Sequence, residues 1–148
     1  TAAVASPSAI AATSDLEDLV LGASYNFGSF LLNGGYNSLK WEPVNGATSG
    51  KVDGFYLGAT VPMGAGSLRV KYASAKFSGN ASALTRSGGK ADKYSIGYVY
   101  DFSKRTSLYA GLARVNNKNG ASVGLIGGPA GVANAGSTGV DLGISHSF

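Results

Sequence analysis

The sequence predicts an all-β protein, an antiparallel transmembrane β-barrel. Three observations carry that reading. Apolar residues recur with period two in seven separate segments. The connections between those segments alternate between tight turns and long loops rich in Gly, Asn and Ser. No run of about 18 apolar residues, the length a membrane helix needs, occurs anywhere.

Composition narrows the class further. At 148 residues the chain is one domain or part of one. Only 14% of its residues are charged, against about 25% in ordinary soluble domains. Glycine is abundant at 23, and there are 8 tyrosines. Apolar and aromatic residues are spread along the chain, which argues against disorder. With no cysteine, disulfide scaffolds, zinc ribbons and thiol catalysis all fall away. A net charge of +4 is too small to argue for nucleic acid without a clustered basic face.

The segments follow in order. The first runs from about Asp18 to Phe27, with Leu19, Leu21, Ala23, Tyr25 and Phe27 on one face. A tight turn at Gly28-Ser29 leads to a second, about Phe30 to Trp41, which aligns Phe30, Leu32, Gly34 and Tyr36. The third, about Val52 to Val61, sets Phe55, Leu57, Ala59 and Val61 against Gly54, Tyr56, Gly58 and Thr60. A turn around Gly64 opens the fourth, Ser67 to Phe77, where Leu68, Val70 and Tyr72 alternate with Arg69, Lys71 and Ala73.

The fifth has the clearest pattern, with Tyr94, Ile96, Tyr98, Tyr100 and Phe102 in one stripe. Its other face carries Lys93, Ser95, Gly97, Val99 and Asp101. After Ser103-Lys104-Arg105 comes the sixth, about Thr106 to Asn116. Its facing stays open between Tyr109/Gly111/Ala113/Val115 and Leu108/Ala110/Leu112/Arg114. The seventh, Thr138 to Phe148, aligns Val140, Leu142, Ile144, His146 and Phe148. No segment keeps a 3.6-residue stripe over three turns.

Short turns alternating with long loops are the habit of an outer-membrane barrel, with turns periplasmic and loops external. Strands of about 10 residues suit a tilted membrane crossing. The face opposite each apolar stripe is rich in Gly, Ser and Asn, as a wall lining water would be. Tyr25, Phe27, Phe30, Phe102 and Phe148 sit where an interfacial aromatic girdle belongs. The loop stretch Gly124–Pro129 reads as a mobile external loop. Bacterial single-chain barrels have an even number of strands. Seven strands therefore predict the C-terminal part of a larger barrel, residues 16–148, preceded by a flexible segment, residues 1–15, that ends an external loop. That opening segment has no basic region or sustained apolar stretch, so it does not read as a secretory signal.

Two stretches carry a family resemblance. Tyr94-Ser95-Ile96-Gly97-Tyr98-Val99-Tyr100-Asp101-Phe102-Ser103-Lys104-Arg105-Thr106-Ser107-Leu108-Tyr109 resembles the tyrosine-rich strand and S-K-R-T turn of Gram-negative general porins, especially those of β-proteobacteria. The ending Gly143-Ile144-Ser145-His146-Ser147-Phe148 is similar to that family's G-x-x-H-x-F terminus. The resemblance covers residues 16–148. It implies a sixteen-stranded outer-membrane barrel, normally a homotrimer, passing small hydrophilic solutes and ions. It also implies a complementary N-terminal segment carrying the remaining strands, the inward third loop and most of the basic ladder.

Such a channel does no chemistry; its selectivity comes from pore width and wall charge. Alternation assigns Arg69, Lys71 and Lys93 to the pore lining, with Asp18, Asp53 and Asp101 as counterweights, and the cations point to anion preference. Arg114 joins that set only if Leu108, Ala110 and Leu112 also face inward. Lys104 and Arg105 read as a solvated turn. By the resemblance, Val140, Leu142, Ile144, His146 and Phe148 form an assembly signal read by the barrel-assembly machinery. The other expected partners are membrane lipid and lipopolysaccharide.

No metal or other cofactor is expected, because His146 is the only histidine and there is no cysteine. Asp141, Ser145 and His146 cannot form a triad, since adjacent strand residues point to opposite faces. Enzyme activity is therefore not expected. Two other readings stay open: a non-conducting small outer-membrane barrel (adhesin or structural), and a soluble ligand-binding β-barrel.

Overall fold

The computed structural model describes residues 13–43, 49–79 and 88–148. They form seven strands: β1 Thr13–Asn26, β2 Leu31–Pro43, β3 Gly50–Met63, β4 Gly66–Gly79, β5 Lys90–Ser103, β6 Thr106–Lys118 and β7 Gly136–His146. Each pairs antiparallel with its neighbour in the chain, giving one sheet in the order β1-β2-β3-β4-β5-β6-β7. All seven predicted strands are present. β1 to β6 are longer than expected at 13 or 14 residues, with much of the extra length at the long-loop ends, whereas β7 keeps 11 residues but starts and ends two residues earlier than expected.

The three short turns use different local solutions. Between β3 and β4 the loop is two residues, and Gly64 takes φ +61°, a left-handed conformation that costs glycine nothing. Lys104-Arg105 turns β5 into β6 without glycine, helped by a register slip between Asp101 and Ser103 and by Ser103 Oγ accepting from Arg105 N–H at 3.2 Å. Between β1 and β2 the Phe27 amide donates to Phe30 O at 2.9 Å, so Phe30 belongs to the turn rather than to β2.

The sheet is a single layer. Leu57 (53% exposed), Ile96 (47%), Leu112 (47%) and Leu142 (73%) all stand uncovered. Among the described residues β1 and β7 do not pair with each other, so the sheet is open at both edges.

Well-buried side chains gather at the long-loop end instead. The β6–β7 connection folds back over the sheet and buries Val115 (1% exposed) and Ala121 (0%). Asn117 holds it in place: Nδ2 donates to Val123 O at 2.9 Å and to Ala135 O at 3.0 Å, and Oδ1 accepts from Val123 N–H at 3.0 Å. Asn134 Oδ1 closes the base by accepting from Gly120 N–H at 2.7 Å. Leu125 rests over Gly139. Val115, Asn117 and Gly139 share the face opposite the apolar stripe. The expected mobile external loop at Gly124–Pro129 is therefore part of a tied structure lying on the polar side of the sheet.

Candidate pore wall and membrane-facing rim

Register across the six pairings sorts every strand onto two faces. One row reads Leu32, Ala59, Val70, Ile96, Leu112, Val140, each directly opposite the next. Another reads Gly34, Leu57, Tyr72, Tyr94, Arg114, Thr138. We call this the outer face. It settles the sixth strand: Leu108, Ala110, Leu112 and Arg114 lie outward, and Tyr109, Gly111, Ala113 and Val115 line the other side. Arg114 is thus not a pore-lining residue. Its guanidinium bonds Asn116 Oδ1 at 3.0 Å and Thr138 Oγ1 at 3.4 Å, at the long-loop end of the outer face.

Aromatic rings bound the apolar band at two levels. At the short-turn end Tyr25 meets Phe27 edge-on, Phe27 stacks on Phe30, and His146 meets Phe148, with centroids 4.6, 4.6 and 5.0 Å apart. His146 Nδ1 also lies 2.9 Å from Thr106 Oγ1. Phe148 itself lies just past the end of β7. The sequence reading missed the upper girdle. There Tyr72 packs against Phe55 at 5.7 Å and Tyr94 at 5.0 Å.

Above that girdle the outer face turns charged. Asp53, expected in the pore lining, belongs here: it shares the Phe55/Leu57 face, accepts from Tyr36 Oη at 2.8 Å and pairs with Lys51 Nζ at 2.9 Å. Strand parity, not charge, decides its side, and β3 runs far enough past the apolar band for a carboxylate to reach water. The same arrangement recurs on β4–β5, where Asp92 accepts from Tyr72 Oη at 2.9 Å and pairs with Lys90 Nζ at 3.2 Å. Six of the chain's 12 Lys and Arg, namely Lys40, Lys51, Lys76, Lys90, Arg114 and Lys118, occupy this rim by alternation.

Asp92 is the most enclosed of the rim acids at 4% exposure. It stands eleven residues from the β5 turn end, about 26 Å up for a strand rising about 3.4 Å per residue at about 45° tilt, above an apolar band of about 25 Å. Burial pushes its carboxyl up, but hydrogen bonds from Ser74, Tyr72 and Lys90 outweigh burial and hold it below the ordinary value.

The inner face is rich in glycine and polar residues, with bulky side chains such as Leu39, Val52 and Phe77 towards its long-loop end. Gly22, Ser24, Asn33, Gly35, Gly58, Ser95, Gly97, Gly111, Gly139 and Gly143 all lie on it. Gly35 is required by a close approach: a Cβ there would stand 2.6 Å from the Tyr56 ring. Tyr56 in turn carries Lys71, whose Nζ lies 4.0 Å above the ring centroid. Arg69, Lys71, Lys93, Asp18 and Asp101 share this face by register, and Asp141, which the sequence reading left out of the pore set, joins them in the row Thr60-Arg69-Gly97-Gly111-Asp141. Three cations then face three carboxylates.

A single sheet with an uncovered apolar outside, two aromatic girdles and an inside rich in glycine and charge has the make-up of a membrane-barrel wall. Known proteins agree. A family profile described as Gram-negative porin matches residues 1–120. Outer membrane porin protein 32 of Delftia acidovorans is 37% identical over 139 residues, covering 90% of this chain and 37% of that protein. The chain therefore spans a little over a third of that relative's length. Such relatedness also removes the soluble ligand-binding reading and sets the chain in the outer membrane. By sequence and by architecture, this chain belongs to the Gram-negative porin family.

Proposed function

We propose that these seven strands form part of the wall of a water-filled channel for passive diffusion of small hydrophilic solutes and ions. The observation that carries this reading is the uncovered outer face: among the described residues nothing packs against its apolar stripe, only the β6–β7 loop lies on the opposite face, and lipid outside with water inside suits both. The protein acts without a cofactor and without catalysis; it lowers the barrier by keeping solutes hydrated. Arg69 and Lys71 lie close together on one strand while Asp18, Asp101 and Asp141 are dispersed, which supports a modest anion preference.

The open edges of β1 and β7 need partners, because unpaired backbone groups are not tolerated in hydrocarbon. A complementary N-terminal porin segment supplies those strands in this reading, and the closed barrel associates as a homotrimer in contact with membrane lipid and lipopolysaccharide. The stripe Val140, Leu142, Ile144, His146 and Phe148 serves both as lipid-facing surface and as the signal for the barrel-assembly machinery.

Planar bilayer recording of the purified outer-membrane protein tests the channel. Discrete ohmic conductance steps are expected. A protein that inserts as a folded barrel yet conducts nothing would favour the adhesin or structural reading.

A further inference from the structure

Three lysines on the outer rim stand in one row. Lys76 of β4 is directly opposite Lys90 of β5, and Lys90 is directly opposite Lys118 of β6. Like charges directly opposite in a sheet repel and destabilise it, so three in a row need a counter-charge. Elsewhere on the rim each lysine has its own. Lys40, opposite Lys51, pairs with Glu42 at 3.2 Å and Glu17 at 3.9 Å, and Lys51 pairs with Asp53 at 2.9 Å. Two carboxylates adjoin the row of three, and both are already committed: Asp92 to Tyr72, Ser74 and Lys90, and Asp53, directly opposite Lys76 on β3, to Tyr36 and Lys51. Lys118 reaches Asp92 only at 3.8 Å, and Lys76 makes no ion pair among the described residues.

The height of the row indicates what it meets. Lys76 is ten residues above the β4 turn end, a climb of about 24 Å at about 3.4 Å per residue and about 45° tilt. That matches the top of an apolar band about 25 Å tall. Lys118 and Lys90 stand two and three residues higher from their own turn ends. Beneath them lie Tyr72 and Tyr94, and beneath those the apolar rows. A molecule bound here has its chains along the apolar face and its anionic head against the ammonium groups.

We propose that Lys76, Lys90 and Lys118 form a binding site for the phosphate groups of an anionic lipid in the outer leaflet. Three ammonium donors on adjacent strands suit a phosphomonoester, which accepts several charge-assisted hydrogen bonds at once. The buried Asp92 is a positioning residue: it holds Lys90 and draws in Lys118 without cancelling the row's positive charge. This site rests on the outer face being lipid-facing, as the channel reading requires, but not on conductance.

The test uses the purified outer-membrane protein in detergent, titrated with bisphosphorylated lipid A, with its dephosphorylated form and with inorganic phosphate. Lipid retention is read by native mass spectrometry, and conductance is recorded on the same preparations. Replacing all three lysines (K76Q, K90Q, K118Q) should weaken retention of bisphosphorylated lipid A about tenfold or more, leave that of the dephosphorylated form unchanged and preserve conductance. The triple arginine variant should bind like the parent, and K40Q with K51Q should not weaken binding. Parental retention by the triple glutamine variant, or equal retention of both lipid forms by the parent, would overturn the site. Displacement of the lipid by an equal concentration of inorganic phosphate would overturn lipid as the source of the phosphate. Loss of conductance in the parent protein would instead count against the channel.

Discussion

Tyr36 on β2 donates its hydroxyl to Asp53 on β3 at 2.8 Å, at the level where the outer face passes from apolar to charged. Tyr72 and Asp92 repeat the contact on β4 and β5 at 2.9 Å. In each pair the tyrosine ring belongs to the upper outer face and its hydroxyl reaches the ionic rim, which fixes where hydrocarbon ends.

The two pairs differ in enclosure, and their costs should differ accordingly. Tyr36→Phe removes a bond to a partly exposed acid and should cost about 0.5–1 kcal/mol. Tyr72→Phe deprives the buried Asp92 of a donor and should cost about 1–3 kcal/mol. Urea unfolding from lipid vesicles measures both; equal losses would contradict the difference in burial.

Acid should weaken the rim. A carboxyl held below its ordinary pKa stabilises the fold fully above its unfolded-state value, and loses that contribution as pH falls through the lower folded value. Resistance to urea should therefore hold from neutral pH to about 4 and fall below it. Asp92→Asn should lower the plateau and flatten the acid limb. An unchanged acid limb in that variant would remove Asp92 from the account.

On the inner wall, Arg69→Glu with Lys71→Glu should shift the reversal potential in a salt gradient toward cation selectivity. Neither residue makes an ion pair among the described residues, so the fold should tolerate the change. An unaltered reversal potential would mean that these side chains lie outside the ion path.

Asn117→Ala should release the β6–β7 loop. Three hydrogen bonds to Val123 and Ala135 vanish, and the part-buried backbone groups at those positions lose partners, for about 2–3 kcal/mol. Limited proteolysis of whole cells should then cut between residues 119 and 135, and the parent should resist cutting there. Continued resistance would show that other contacts hold the loop.

Strand order, the short turns and most facing were legible because period-two alternation and glycine at tight turns are local signals. The alternation of β3 itself places Asp53 with Phe55 and Leu57, so its assignment to the pore lining fails on parity. Strands that outrun the hydrocarbon carry charges outward too. The sixth strand could not be oriented alone, since Leu112 and Val115 compete as anchors; only pairing with Ile96 and Val140 decides. The loop's inward fold depends on Asn117 meeting Ala135 eighteen residues later, and asparagine in a loop otherwise reads as a turn former. The lysine row was invisible for the same reason: Lys76, Lys90 and Lys118 meet only through register.

Most directly, the account rests on which face meets lipid, and because these 148 residues contain no cysteine, single cysteines placed in them can report it. Adjacent residues give internal controls: Ser95→Cys beside Ile96→Cys on β5, and Ala113→Cys beside Leu112→Cys on β6. In intact outer membranes a charged, membrane-impermeant thiol reagent should label the variants at 95 and 113 and spare those at 96 and 112. Equal labelling within each pair, or labelling of the apolar positions alone, would contradict a lipid-facing outside and a water-filled inside.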